Sequence, residues 1–218
     1  KKSVVLKKQK VQSITVSSNP FKRWVGISYV VFKQAMSGKM NNKKDKVIKI
    51  VGCEHDQVNL IKNHLFDSSL LDDSQKHYTD SYYKTRILSL TSIILLVINS
   101  SIFLIFDILY VLYITLLLLP LCYFLIHKKI KKTFYKISFN LLLVGKGLVD
   151  THHTYFQLFK VQNVKIKQTI FQQRKGVVDL ILQTASGKIR IPCIPSKNAT
   201  EIYNHILFNV ETSKQSWM

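Results

Sequence analysis

Four lysines in five residues, Lys128, Lys129, Lys131 and Lys132, stand directly behind a stretch, residues 87–126, whose one charge is Asp107. Clustered ammonium groups attract phosphate. Beside an apolar run of this length, the phosphate within reach is that of an anionic lipid, and each such Lys is worth about 1 kcal/mol of attraction. Arg86, with Lys84, forms a matching basic pair ahead of the run. These five, Arg86, Lys128, Lys129, Lys131 and Lys132, are the candidate anionic-lipid contacts; the plainer reading is that they only fix topology. Lys7, Lys8 and Lys10, and separately Lys39, Lys43, Lys44 and Lys46, add to the contact if their faces point at the bilayer.

Two other polar clusters invite a metal. His152-His153 stand beside Asp150, and Cys53-Glu54-His55-Asp56 is a dense run. Neighbouring residues on a strand point to opposite faces, so the histidine pair does not converge on one ion. Exposed strand or loop residues describe both clusters better, and no metal site is assigned. The chain shows no Gly-rich phosphate loop and no nucleophile elbow. No catalytic residue and no cofactor is assigned, and the expectation is a protein that is not an enzyme. Cys53, Cys122 and Cys193 are odd in number, without ligand spacing or a disulfide framework, which suits a reducing compartment.

The elements that position these residues start with the apolar run. The chain has 218 residues and a net charge of +20, which calls for a polyanionic neighbour, nucleic acid or membrane. Forty residues of helix would extend about 60 Å, against a hydrocarbon core of about 30 Å. Two spans are therefore expected, residues 87–106 and 108–126, with a turn near Asp107. Asn99-Ser100-Ser101 is the other turn signal, but it leaves the first span too short. Soluble core helices rarely run this far without charge. Tyr78, Tyr82, Tyr83 and Tyr123 sit where an interfacial aromatic belt would, and the basic residues lie at the two outer ends, which predicts both flanks on the cytoplasmic side. The cations follow these membrane edges and not an aromatic-studded sheet, so no nucleic-acid partner is expected.

The flanks share a phrase. Residues 10–35 laid on 160–185 give six identities: Lys10/Lys160, Val11/Val161, Gln12/Gln162, Phe21/Phe171, Gly26/Gly176 and Ala35/Ala185. Chance gives roughly one or two. Ser37-Gly38-Lys39 then meets Ser186-Gly187-Lys188, each a hairpin-turn signal. A strand follows in each copy, 46–51 and 188–193, and then a helix ending at Phe66 or Phe208. The broken alternation of Val11, Ile14 and Val16 predicts a bulge or a two-sided burial, and Gly26 and Gly176, where a strand restarts, predict a bend or a close backbone approach. In the second copy Ala199, Ile202, Tyr203, Ile206, Leu207 and Val210 form a helical stripe, with Asn198 and Glu201 as a capping box. Strands 138–144 and 148–155 precede that copy around a Gly145-Lys146-Gly147 turn. The first copy has no room for them, and Lys1 is no initiator, so a longer parent chain is expected. Residues 67–84, with Asp67, Asp72, Asp73 and Asp80, read as a flexible tether.

Lys160-Val161-Gln162 leading a strand, the bend from Phe171 to Gly176, the strand Leu180 to Ala185, and Ile191-Pro192-Cys193-Ile194-Pro195 before the helix resemble the bacterial pleckstrin-homology (PH-like) membrane proteins. The type is YdbS/YdbT, once called a membrane-flanked domain of unknown function. The first copy matches through Lys10-Val11-Gln12, Asn19-Pro20-Phe21-Lys22-Arg23 and Gly26, but lacks the Ile-Pro motif before its helix. The resemblance implies a membrane α + β protein with two PH-like antiparallel β domains, each closed by a C-terminal helix and separated by a two-helix transmembrane hairpin. The boundaries expected are 1–66 for an N-terminally incomplete PH-like domain, 67–85 linker, 86–127 hairpin, 128–211 PH-like domain and 212–218 tail.

The function expected is a non-catalytic integral protein of the cell membrane. It presents PH-like domains at the cytoplasmic face to lipid headgroups, probed through anionic membrane lipids, or to protein partners, a second copy of itself included. The resemblance alone implies a use in envelope stress or antimicrobial-peptide resistance. The alternative is a component of a membrane transporter or channel complex, against which stand the two spans and their single ionisable residue.

Overall fold

The apolar and β-branched residues after Lys10 make a strand, and Asn19-Pro20 ends it. In the computed structural model, which describes residues 6–35, 47–66, 71, 74–103 and 108–214, β1 (Val11–Ser18) runs into a one-turn helix α1 (Pro20–Trp24). Asn19 caps that helix, its side chain accepting from the Lys22 N–H at 2.7 Å. Next come β2 (Ile27–Gln34), β3 (Val47–Glu54) and α2 (His55–Phe66). A two-residue strand β4 (His77–Tyr78) precedes the long apolar helices α3 (Tyr82–Phe103) and α4 (Ile108–Lys131). Beyond them lie β5 (Phe134–Ile137), β6 (Leu141–Gly147), β7 (Thr151–Gln157) and β8 (Val161–Lys167). The chain closes with α5 (Ile170–Gln173), β9 (Val177–Thr184), β10 (Gly187–Pro195) and α6 (Ser196–Thr212).

The shared phrase builds the same local structure twice. The β1–β2 register slips between Val11 and Ser13, and the β8–β9 register slips between Val161 and Asn163. Of the two expectations for β1, the bulge is present, at the same glutamine in both copies, and the first four residues of β1 are buried on both faces as well. A one-turn helix follows each strand, and the second is held by a Thr169–Gln172 capping box. Gly26 and Gly176 then take φ of +77° and +63°. An added Cβ would meet nothing within 4 Å at either, so backbone conformation and not space requires glycine there. A hairpin turn joins β9 to β10 as expected, made by Ala185-Ser186 with Gly187 already paired to Thr184; the counterpart Ser37-Gly38-Lys39 lies outside the described residues.

Pairing is where the two stretches part company. The expectation was a closed unit on each side of the apolar run. The strands form instead one seven-stranded sheet, β3-β2-β1-β7-β6-β5-β4, and a three-stranded sheet, β10-β9-β8. β1 is hydrogen-bonded to β7 from Ile14–Tyr155 to Ser18–Thr151. Strands β5, β6 and β7 therefore serve both halves. Leu142, Val144 and Phe156 face β8–β10 and α6, packing on Leu180, Leu182, Ile194 and Ile206. Leu141, Leu143, Tyr155 and Phe134 face the other way, packing with Val11, Ile14, Val30, Phe32, Val58 and Phe66. Successive residues of β6 thus alternate between two cores.

Three local expectations change. The Gly145-Lys146-Gly147 turn is strand, and residues 148–150 make the turn. Gly145 is needed because a Cβ there would run into the Phe134 ring, and Gly147 because one would meet the Asp150 carbonyl. The tether is partly ordered: Leu71 is buried, and His77–Tyr78 pair with Tyr135 and Phe134. Helix α6 starts at Ser196 with Pro195 as N-cap and no side-chain cap, so Asn198 and Glu201 are inside the helix. Its buried stripe is Ala199, Ile202, Ile206 and Asn209, while Leu207 is 37% exposed.

Residues 82–103 and 113–131 are long and apolar enough to cross a membrane, with mean hydropathy of 1.8 and 1.4. Almost none of either helix is buried in protein, unlike the core helices of a soluble fold. Asp80 caps the first, its carboxylate accepting from the Tyr82 N–H at 2.8 Å. The expected turn at Asp107 lies outside the described residues.

Candidate functional site: two basic clefts at the root of the helices

The strand registers put many chain ends at one edge. Gly147 is opposite Thr151, Thr151 is opposite Ser18, and Phe134, opposite Gly145, follows directly from α4. On the other sheet, Asp179 near the start of β9 reaches α3. The helices therefore rise from this edge, and the cations gathered there divide between the two faces of β5–β7.

The first cleft, about 270 Å³, opens between the base of α3, the end of α4, β6 and β10. Arg86, Lys129, Lys146 and Arg190 line it, with Tyr83, Ile87 and Leu90 as its apolar wall. Asp179 is the carboxylate behind them. It accepts from Arg86 Nη1 at 3.0 Å, from Arg190 Nη2, and from the Cys193 N–H at 2.9 Å. Burial pushes its carboxyl up, but these donated hydrogen bonds outweigh burial and hold it below its ordinary value. Cys193 has φ of +46° at a register slip between Ile191 and Ile194. The bond to Asp179 holds that strained backbone, and the Cys193 carbonyl in turn accepts from the Asp80 N–H at 2.8 Å, just before α3. One carboxylate thus fastens the second sheet to the first apolar helix. Burial, with Arg190 nearby, lowers the Lys146 pKa.

The second cleft, about 520 Å³, lies on the opposite face, between β1, α2 and β7. Lys131, Lys132, Arg23, Lys62 and Lys76 contribute cations, and among the described residues no carboxylate lines it. Lys132 Nζ donates to the Leu148 and Val149 carbonyls at 2.7 and 2.8 Å, tying α4 to the β6–β7 turn. Its pKa is lowered by burial and by Arg23 and Lys128. His153 lies against Phe134, ring centres 5.5 Å apart. Burial, then Lys76, Arg23 and Lys62, lower its pKa to about 4, so it stands neutral.

The five expected contacts are therefore sorted by helix phase. Arg86 and Lys129 go to the first cleft, and Lys131 and Lys132 to the second. Lys128 is exposed, its Nζ lying 4.3 Å from the centre of the Phe124 ring. Arg86 does not point freely at solvent; it is paired with Asp179. Lys146, Arg190, Arg23, Lys62 and Lys76 were absent from the sequence expectation. Two signals existed. Lys146 has the parity of Leu142 and Val144, which turns it inward, and Asp179 interrupts the apolar run Val177–Leu182, where a carboxylate needs partners. The histidine pair behaves as adjacent strand residues do: His152 Nδ1 is 2.7 Å from Ser17 Oγ, while His153 is turned to the cleft.

Set against known proteins, residues 86–209 match a family model described as Bacterial PH domain. The match covers more than half of the chain, from Arg86 in α3 to Asn209 in α6. No curated protein and no solved structure matches.

Proposed function

Because the chain belongs to the bacterial PH domain family, we propose that it is a non-catalytic integral membrane protein whose β portion binds anionic lipid headgroups at the cytoplasmic face. The hairpin α3–α4 crosses the bilayer and returns. The clefts at its root then lie at headgroup depth, where an acyl chain can follow Ile87 and Leu90 while the phosphate meets the cations. The observation that carries this reading is the first cleft: Arg86, Lys129, Lys146 and Arg190 surround a pocket backed by one carboxylate, Asp179, beside an apolar helix. Attraction of about 1 kcal/mol per cation near an anionic surface makes such a cluster selective for charged over zwitterionic lipid. The cytoplasmic placement rests on the basic residues at both outer ends of the hairpin. Protein partners, a second copy included, are the other ligands such a platform would present.

The test is lipid enrichment in nanodiscs assembled from a mixture of neutral and anionic phospholipid. The parent protein should retain anionic lipid through stringent washing. Lys129→Gln with Lys146→Gln should lower the enrichment about fivefold or more, from ~1 kcal/mol per charge removed. Equal enrichment in parent and variant would sink the headgroup reading.

A further inference from the structure

Phe21 and Phe171 are one of the six identities between the two stretches, yet neither is in a core. Phe21 is 79% exposed and Phe171 68% exposed. Each sits on a one-turn helix between two strands, and each has exposed apolar neighbours: Trp24, 89% exposed, and Val25 on the first, Ile170 on the second. A Trp standing almost wholly in water is unfavourable. Both helices lie at the edge from which the hairpin rises. Helix α1 follows Ser18, which pairs with Thr151, and Arg23 Nη2 donates to Thr151 Oγ1 at 2.8 Å. Helix α5 follows Lys167, which pairs with Asp179, the partner of Arg86. Between them the β6–β7 turn exposes Val149, its carbonyl held by Lys132 at the end of α4.

We propose that α1 and α5 are a pair of interfacial feet that insert their apolar side chains into the same leaflet the hairpin enters, one on each side of it. This rests on the membrane placement of α3–α4 proposed above and adds an apolar surface beside the clefts, which shares Arg23 with the second of them. The occupant is the headgroup–acyl boundary of the bilayer. Two features select it over a protein groove. The surface is continuous with the root of the hairpin. The apolar residues are also interleaved with cations and with no acid: Pro-Phe-Lys-Arg-Trp-Val at 20–25 and Ile-Phe-Gln-Gln-Arg-Lys at 170–175. Aromatic rings with adjacent Lys and Arg are what this boundary accepts. With the feet down, the sheets cannot rock about the hairpin, and the mouths of both clefts stay at headgroup depth.

Trp24 reports on its own foot, since the chain has two tryptophans and Trp217 is removed by Trp217→Phe. The full chain carrying that change is reconstituted into vesicles of plain phospholipid, or of phospholipid brominated at shallow or deep acyl positions. Trp24 emission should be blue-shifted relative to the denatured protein. It should lose most of its intensity with shallow bromine, about 5–10 Å below the headgroups, and less with deep bromine. The second foot is read in the same way with Phe171→Trp in a chain also carrying Trp24→Phe and Trp217→Phe. Unquenched emission at either position, in protein that remains embedded, overturns the proposal; blue-shifted but unquenched emission would assign the surface to a protein contact instead. Protein that fails to stay with the vesicles would overturn the membrane placement itself, and the feet with it.

Discussion

Lys160 Nζ donates to the carbonyl of Val11 at 2.6 Å and to that of Gln9 at 3.0 Å. The lysine that opens one copy of the shared phrase thus grips the backbone of the other copy. Lys160 is 4% exposed, and burial, with Lys8 nearby, lowers its pKa to about 8. At neutral pH it is still an ammonium, and the two carbonyls satisfy it. Lys10, at the same position in the first copy, is exposed.

Lys160→Met should therefore weaken the docking of residues 6–35 on the rest of the protein by about 1.5–3 kcal/mol, the worth of hydrogen bonds to a charged group. Lys10→Met should stay within about 0.5 kcal/mol of the parent. Denaturant unfolding in detergent measures both. Equal stability of the two variants would mean that the clasp carries nothing.

Helix α6 offers a similar contrast between neighbours. Ile206 is buried against the β8–β10 sheet and Leu207 is not. Ile206→Asp puts a carboxylate into that core without a partner and should cost upwards of about 3 kcal/mol, enough to unfold this half. Leu207→Asp should cost less than about 1 kcal/mol. Circular dichroism melts of the two proteins should separate clearly, and coincident melts would mean that the helix sits in another rotation.

The neutral state of His153 sets a pH dependence. An unfolded histidine titrates near 6.5 and His153 at about 4. Between these values the unfolded chain binds a proton that the folded chain refuses, so stability falls as pH drops from 6.5 to 4. The loss reaches at most about 3 kcal/mol, at ~1.4 kcal/mol per unit. His153→Gln should flatten that part of the curve. Asp179, its carboxyl held low, keeps its contribution through this window and loses it only at lower pH. Unfolding free energies between pH 7 and pH 4 would show the difference, and parallel curves for parent and variant would contradict it.

Topology is tested from the tether. In a chain whose native cysteines are replaced by Ser or Ala, Gln75→Cys should be shielded from an impermeant maleimide in intact cells and labelled once the membrane is opened. Labelling of intact cells would place the β portion outside and reverse the reading of the basic collar.

The apolar hairpin, the irregularity at the start of β1 and the special role of Gly26 and Gly176 were legible because each is written in adjacent residues; that the irregularity is a bulge at the glutamine, and that the glycines serve a bend and not a close approach, was not. The joining of β1 to β7 was not. Its pairs include Thr15 with Thr154 and Ser17 with His152, some 140 residues apart and without apolar alternation to announce a partner. The site was half legible for a related reason. Lysines behind an apolar run are conspicuous, but the face each one takes depends on helix phase, and Lys146 and Arg190 join them only through folding. Leu207 shows the same limit at the level of one residue. A helical stripe read from sequence is wider than the face that the sheet covers.

The alternation of β6 between two cores bears on how this protein tolerates change. An amphipathic strand has a silent side, where substitutions pass unnoticed; Leu141, Leu142, Leu143 and Val144 have none, since each is walled in from one direction or the other. A one-residue insertion there would hand every later side chain to the opposite core, damaging both halves at once. A saturation scan of the chain should accordingly find β6 intolerant at consecutive positions, against the two-residue rhythm of β2, where Val30 and Phe32 are buried and Val31 is not. The stretch will drift slowly in lineages where the surrounding loops diverge, leaving four aliphatic residues as a durable mark by which distant relatives can be aligned.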